Sequence, residues 1–392
     1  MAKQEKHSER AHALLAASHA SRWMNCPPSA RLEEAWEAEH PSESSVYAEE
    51  GTLAHEMAEA ILRSRFEGKE SKLEGFQSHP LYNDDMPDYV MEYVDHVSET
   101  FSEAKEKTPD AILIVEKRLD FSHIVKDGFG TGDVCIIADD MLHIIDLKFG
   151  KGVKVEAKEN SQLMLYAIGA LKDFDIMYDI HRVALHIVQP RLQHISVWET
   201  SVENLYRWAD KEVKPAAKKA YDGKGVQKAG SHCKFCKVKS VCATLASNSL
   251  VLSKLGMRNP HLLTEKQLME AYEKIPSLIE WANSVNEYVL KQAVSGNVPR
   301  GYKIVEGTSR RKWADEEKVR ETLRKEGFEE SQYVKKTLKG IGDIEKLVGK
   351  KVFPDMFEDL VTKSHGSPTL VKEDDPRPQM QSIEQAKSDF SS

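Results

Sequence analysis

The sequence predicts an α/β fold, a mixed sheet core flanked by helices. Three observations predict it. Three β-branched runs follow one another between residues 111 and 150, a helix-forming stretch succeeds them, and two further strand-like runs end near Ser201. Three strands, a crossover helix and two strands are the parts of one mixed core.

Helices precede the strands. HALLAASHASRWMNCPPSARLEEAW, from His12, reads as a short helix, a Cys-Pro-Pro break fixed by Pro27 and Pro28, and a second helix. YAEEGTLAHEMAEAILRSRFEG is rich in Ala, Glu and Leu and stops near Gly68. DYVMEYVDHVSETFSEAKEK spaces its apolar residues helically. AILIVEKRLDF, DVCIIADD and MLHIIDLKFG are strands, with Asp139–Asp140 as the hairpin turn between the last two. NSQLMLYAIGALKDF is a helix capped by Asn160 or Ser161. HRVALHIVQPR and HISVWETS are two more strands, followed by one long helix from about Val202 to Tyr221. A Lys- and Gly-rich loop then leads into HCKFCKVKSVC. Beyond Ala243 lie the helices LTEKQLMEAYEKI and LIEWANSVNEYVLKQAV, a strand-like patch GYKIVEG and further helices. The tail after about Ser367 has too few apolar residues to pack. No period of 20–50 residues is present, which excludes a solenoid or propeller. The chain accordingly divides into a core with its cysteine set (1–247), a helical extension (248–300), a small α/β region (301–366) and a flexible tail (367–392).

The 392 residues carry 55 Lys and Arg against 63 Asp and Glu, a net charge of −8, with 40% hydrophobic residues. That is a globular composition rather than a disordered one. No apolar run approaches the roughly 18 residues of a membrane span. MAKQEKHSERAHALL has no apolar core followed by a cleavage site, so a cytoplasmic protein without a membrane partner is expected. Five cysteines in such a chain point to metal ligands or buried thiols rather than to a disulfide scaffold. An acidic chain is no uniform polyanion binder, and any contact with nucleic acid must come from local basic segments.

The densest chemistry lies in GTGDVCIIADDMLHIIDLKFGKG. Asp133 starts one strand, while Asp146 and Lys148 share a face of the next. If the strands pair through the Asp139–Asp140 turn, Asp133 lies across from that Asp-x-Lys. Two converging carboxylates repel unless a hard cation such as Mg²⁺ or Mn²⁺ sits between them, and the Leu147 carbonyl could add a third oxygen. Lys148 could hold and activate a water and offset the charge of a developing phosphorane. These are the parts of metal-assisted phosphodiester hydrolysis. On an ordinary strand, Asp-x-Lys is an exposed ion pair worth less than about 1 kcal/mol. Here HIIDLKFG surrounds both charges with apolar residues, and buried charges need partners or a metal. His55, on a helix after a Gly-Thr start, can complete a ligand set as neutral imidazole. Glu116, on the preceding strand, can supply or support another carboxylate. Gln162 and Tyr166, four apart on one helical face, can orient a phosphate or a flanking base.

In order and spacing, Gly51 with His55, Gly130 with Asp133, Asp146 with Lys148, and Gln162 with Tyr166 resemble the RecB-type branch of the PD-(D/E)XK nuclease superfamily. That branch includes the RecB and AddB nuclease domains and the RecB-like exonucleases associated with CRISPR adaptation. The longer wording of FGTGDV, IIDLKFGKGVKVEAKEN and SQLMLYAIGAL is similar to a phage and prophage family within it, from about His12 to past Thr369. The resemblance implies a PD-(D/E)XK, or restriction-endonuclease-like, core. It implies His55, Asp133, Asp146 and the Leu147 carbonyl as metal ligands, Lys148 as the residue positioning the nucleophilic water, and Gln162 with Tyr166 as contacts to the nucleic acid. Asp146 stands where relatives often have Glu, and the pattern admits either.

Cys233, Cys236 and Cys242 form C-x₂-C-x₅-C, with Cys26 as the distant fourth. Four thiolates suit tetrahedral Zn²⁺ or a [4Fe–4S] cluster, and spacing does not separate them. One cysteine upstream of the nuclease motifs and three downstream is similar to the iron–sulfur members such as AddB, so the resemblance implies an iron–sulfur staple. Closing about 200 residues in this way is worth about 5 kcal/mol in the chain-entropy model. Cys135 reads as a core thiol.

Lys151, Lys154 and Lys158 trail the active strand. A second set from Lys211 through Lys214, Lys218, Lys219, Lys224, Lys228, Lys234, Lys237 and Lys239 forms a basic stripe suited to phosphates. LKGIGDIEKL only superficially resembles a helix-hairpin-helix turn. The expectation is a divalent-metal-dependent, exonucleolytic DNase serving phage recombination or DNA processing. DNA is the expected partner, with a phage single-strand annealing protein or a helicase beside it, since the chain carries no Walker A. The alternative is a non-catalytic iron–sulfur module that grips DNA or a recombination partner.

Overall fold

The computed structural model describes residues 13–40, 45–69, 73–250, 264–302 and 316–325. By internal contacts the chain divides into Met1–Ile304 and Val305–Ser392. The strand-like patch, the LKGIGDIEKL turn and the tail all lie wholly or mostly outside the described residues. In the second unit the described part is one helix, Glu316–Lys325.

The first unit opens with helices α1 (Ala20–Asn25) and α2 (Ser29–Glu39), parted by the Cys26-Pro27-Pro28 break. Helix α3 (Val46–Glu67) begins where the Ser45 hydroxyl accepts from the Ala48 amide and ends at Gly68, whose φ of 65° is the left-handed cap that favours glycine. Helix α4 (Met86–Lys107) precedes strands β1 (Ile112–Asp120), β2 (Phe129–Ile137) and β3 (Asp140–Leu147). Helix α5 (Ser161–Phe174) is capped by the Asn160 side chain, which accepts from the amides of Gln162 and Leu163. Strands β4 (Ile180–Gln189) and β5 (His194–Ser201) follow, then α6 (Val202–Trp208), α7 (Lys214–Tyr221), α8 (Ala243–Ser249) and α9 (Glu265–Val294).

The sheet is mixed, in the order β1-β2-β3-β4-β5. Its pairings are antiparallel except β3–β4, which is parallel because α5 carries the chain across between them. Alternation splits the core into two layers. Val134, Ile136, Ile145 and Val188 pack against α3 and α4, while Cys135, Ile137, Ile144 and Ile187 pack against α5, α1 and α7. Burial on both faces explains why these strands read as continuous apolar runs. Cys135 is fully buried.

Two expectations about helices change. The long helix expected over 202–221 is broken by a π turn at Ala209–Val213. Pro215 has no amide to donate to the Lys211 carbonyl, and the ladder widens there. Conversely, the two helices expected between 263 and 294 form one, α9, with Pro276 inside it and a capping box of Thr264 and Gln267 at its start.

Candidate metal centre

Sheet register builds the site. The pairs Val115↔Val134 and Lys117↔Gly132 bracket Glu116 and set it opposite Asp133. One step beyond Val134↔Ile145, Asp133 meets Asp146. Three carboxylates therefore stand in one row across β1, β2 and β3, where like charges on facing strands destabilise. Glu116 also has a φ of 53°, a left-handed conformation that costs a side-chain-bearing residue about 1–2 kcal/mol. Gly130 has a packing reason: a Cβ there would come within 2.6 Å of the Tyr166 ring, so only glycine lets that ring lie on β2.

Two clusters of side chains meet on the row. In the first, His55 Nδ1 from α3 lies 3.4 Å from Asp133 Oδ2, and the Leu147 amide donates to the same oxygen at 2.8 Å. The ligand atoms of His55, Glu116 and Asp133 all fall within 4.8 Å of one another. In the second, Lys148 Nζ sits 2.6 Å from Asp146 Oδ2 and donates to Gln162 Oε1 at 3.1 Å. The Gln162 amide donates to Asp146 Oδ1 and to Tyr166 Oη, each at 3.3 Å. Asp146 is 2% exposed and Asp133 9%, so neither carboxylate relies on water to disperse its charge. Beside them, Glu50 on α3 pairs with Arg191 at 2.8 Å, and Arg191 lies 4.9 Å over the Phe149 ring, tying α3 to the chain after β4.

Protonation follows from these neighbours. Burial alone would lower the His55 imidazole, but Asp133, with Asp146 and Glu116 behind it, lifts it to about 9. Burial would raise the Asp133 carboxyl, yet His55 and Lys148 bring it below its ordinary value. The Asp146 carboxyl stays raised, because burial and the neighbouring Asp133 outweigh Lys148. Lys148 would be lowered by burial, but Asp146 and Asp133 raise it, so it holds its proton. The two neighbouring acids are thus pushed in opposite directions beside one fixed cation.

The structure thus gathers His55, Glu116, Asp133, Asp146, Lys148, Gln162 and Tyr166, residues scattered over 112 positions of sequence. The compact three-residue group contains Glu116, whereas Asp146 turns to Lys148 and Gln162. Leu147 enters through its amide N–H. Sequence reading passed over Tyr93, a buried phenol on α4 whose ionisation is opposed by burial and by the same three acids. Only its apolar helical spacing is visible in the sequence, and that reads as core.

The cysteines converge elsewhere. Cys26, Cys233, Cys236 and Cys242 line one cavity. A buried ion pair between Arg22 and Glu33, 2.7 Å, holds the two chain segments together: Arg22 donates to the Phe235 carbonyl at 2.9 Å, and Glu33 accepts from the Lys237 amide at 2.7 Å. Lys211, Lys218, Lys219, Lys228 and Lys234 of the basic stripe are exposed and form no ion pair with the described residues.

Fold and site together define an α/β protein with a five-stranded mixed sheet and a candidate His/Glu/Asp metal site. The chain belongs to the family described as "Protein of unknown function (DUF2800)", whose model matches residues 12–378. Among solved structures, the one described as "Crystal structure of SSO0001" is 11% identical to this chain, covers 57% of it and 96% of its own length, and superimposes with a TM-score of 0.20. Among the described residues, no helix is long and apolar enough to cross a membrane.

Proposed function

We propose that this protein is a divalent-metal-dependent deoxyribonuclease of the RecB-like PD-(D/E)XK type, acting exonucleolytically in phage recombination or DNA processing. The observation that carries the reading is the row Glu116–Asp133–Asp146, closed on one side by His55 and on the other by Lys148, Gln162 and Tyr166. Facing carboxylates and a left-handed glutamate are costs that a hard cation offsets, and one imidazole with carboxylate oxygens is a donor set that Mg²⁺ or Mn²⁺ accepts. His55, Glu116 and Asp133 would hold the ion, with Asp146 alongside. When bound, the ion supplies Lewis acidity toward a phosphate oxygen and a water of lowered pKa.

The chain's own residues do the rest. Lys148 keeps its proton, so it serves as a fixed ammonium that donates to a water or a phosphate oxygen and offsets growing negative charge. Gln162 holds that ammonium in place and is itself fixed by Asp146 and Tyr166. Gly51 lies one helical turn before His55, and a Cβ there would meet nothing within 4 Å, which leaves room for a substrate at that face of α3. The exposed lysines suit phosphates outside the site.

Cys26, Cys233, Cys236 and Cys242 share one cavity, and four thiolates there would hold a [4Fe–4S] cluster, with structural Zn²⁺ as the alternative. Either would staple Cys26 to the segment after α7.

The test is cleavage of end-labelled single- and double-stranded DNA by anaerobically purified protein with Mg²⁺ or Mn²⁺. Activity is expected, and Lys148→Ala should cut it by about 10²–10³-fold with the fold intact. Undiminished cleavage by that variant overturns the assignment. DNA binding without cleavage under any metal condition would instead favour the non-catalytic module.

A further inference from the structure

The chain leaves the candidate centre at Lys148 and returns to it at Gln162, where the 3.1 Å hydrogen bond from Lys148 Nζ to Gln162 Oε1 joins the two ends. Between them runs a loop of irregular backbone, and its far half is held by side chains rather than by a strand ladder. Gln189, at the end of β4 and 2% exposed, accepts from the Val155 amide at 2.7 Å and donates to the Val153 carbonyl at 3.0 Å. From β5, His194 Nε2 lies 3.1 Å from the Val155 carbonyl, and the Ser196 hydroxyl accepts from the Ala157 amide at 3.0 Å. Three polar side chains of the β4–β5 hairpin thus fix residues 153–157. The near half is open. Residues 150–154 are exposed, and a Cβ at Gly150 or Gly152 would meet nothing within 4 Å. Lys154 is engaged by Glu156 at 3.0 Å, whereas Lys151 forms no ion pair with the described residues.

We propose that Lys151 binds the substrate phosphate next to the scissile one, and that Gln189 is a positioning residue that holds the loop so this amine stays within a phosphate's reach of Lys148. The inference rests on the nuclease reading and deepens it. Lys151 stands three residues beyond Lys148, so their Cα atoms lie at most about 11 Å apart whatever path the chain takes. If one phosphate sits at Lys148, its neighbours follow at a rise of about 3.4 Å per nucleotide along a duplex strand, well inside that span. A free amine on a tip whose base is pinned loses less freedom on binding than one on a wholly mobile loop. Phosphate contacts of this kind set the register of the strand without reading its sequence. The effect therefore belongs in KM and not in the chemical step.

The experiment measures KM and kcat of the full-length protein on an end-labelled single-stranded oligodeoxynucleotide with Mg²⁺ across a salt series. Lys151→Gln should raise KM about 5–10-fold at about 50 mM salt, leave kcat nearly unchanged, and lower the slope of log KM against log salt by about 0.7. Lys151→Arg, which keeps the charge, should restore both. Gln189→Met should also raise KM, yet add little when Lys151 is already glutamine. Should Gln189→Met not fold, Ser196→Ala, which frees only the Ala157 amide, takes its place in the same cycle. Equal KM and equal salt slope in Lys151→Gln and the unsubstituted protein would overturn the contact and leave the nuclease reading standing. A KM penalty from Gln189→Met that is just as large without Lys151 would overturn the positioning role, because a glutamine acting through that amine would have nothing left to lose. Absence of both DNA cleavage and DNA binding in the unsubstituted protein would remove the nuclease reading together with this inference.

Discussion

Two groups of histidines sit in the same α/β core and behave oppositely. His55 faces acids and is lifted to about 9. His186, 5% exposed on β4, faces only other imidazoles: its Nδ1 is 3.0 Å from His96 Nε2 on α4, and its Nε2 is 3.1 Å from His143 Nδ1 on β3. Burial and these two neighbours push His186 down to about 3, and burial, Lys107, His96 and Arg182 push His143 down to about 4. His96 is lowered by burial against the weaker pull of Glu99 and Glu103. A neutral imidazole has one donor and one acceptor nitrogen, so a neutral His186 can bridge the other two in one direction. Burial acts alike on both groups, and the partner decides the outcome. Carboxylates keep a buried histidine charged within an acidic cluster, whereas imidazoles turn it into an uncharged strut between α4 and the sheet.

The sharpest way to break this comparison is to substitute each histidine. His55→Gln should reduce metal-dependent cleavage by about 10–100-fold while the melting temperature moves by a few degrees at most. His186→Leu leaves His96 and His143 without their common partner and should cost about 1–3 kcal/mol of stability, read by denaturant unfolding, with cleavage per folded molecule unchanged. If both variants lost activity alike, the histidine chain would belong to the site after all.

Acid unfolding sharpens it next. His143 and His186 have folded values below the unfolded value of about 6.5, so the unfolded chain binds more protons, and their contribution is complete only above that value. As pH falls from about 6.5 toward 3, stability should drop with a slope approaching about 1.4 kcal/mol per pH unit for each ring. His55 has the opposite sign: its folded value lies above the unfolded one, so its contribution is full below about 6.5 and fades as pH rises through 9. Urea unfolding of chelator-treated protein across this range should show the acid slope flattened in His186→Leu. An unchanged slope would mean that other groups cause the acid lability.

Much of this architecture is legible in sequence because it is local. Alternating β-branched runs give the strands, Asn160 before an apolar helix gives its cap, and Asp139–Asp140 gives the turn that fixes the register of Asp133 against Asp146. The acid–Lys–Gln–Tyr set is legible because strand and helix periodicity put its members on shared faces. What stays hidden depends on tertiary placement. Nothing in IVEKRL announces a left-handed Glu116. Tyr93 shares the apolar spacing of Val90, Val94 and Val97, so its unpaired hydroxyl is invisible until α4 is docked. His96, His143 and His186 lie on three elements and meet only when the parallel β3–β4 pair forms.

The smallest effect tests whether the His55 side of the site is open by design. Glycine inside a helix costs about 0.8–1 kcal/mol relative to alanine, and nothing packs against Gly51 to justify it. Gly51→Ala should therefore stabilise α3 by up to about 1 kcal/mol, raising the melting temperature by about 2–4 °C. If the empty face beside His55 admits DNA, the added methyl should raise KM for DNA a few-fold and leave kcat nearly unchanged. A more stable protein with unaltered KM would show that DNA does not use this space.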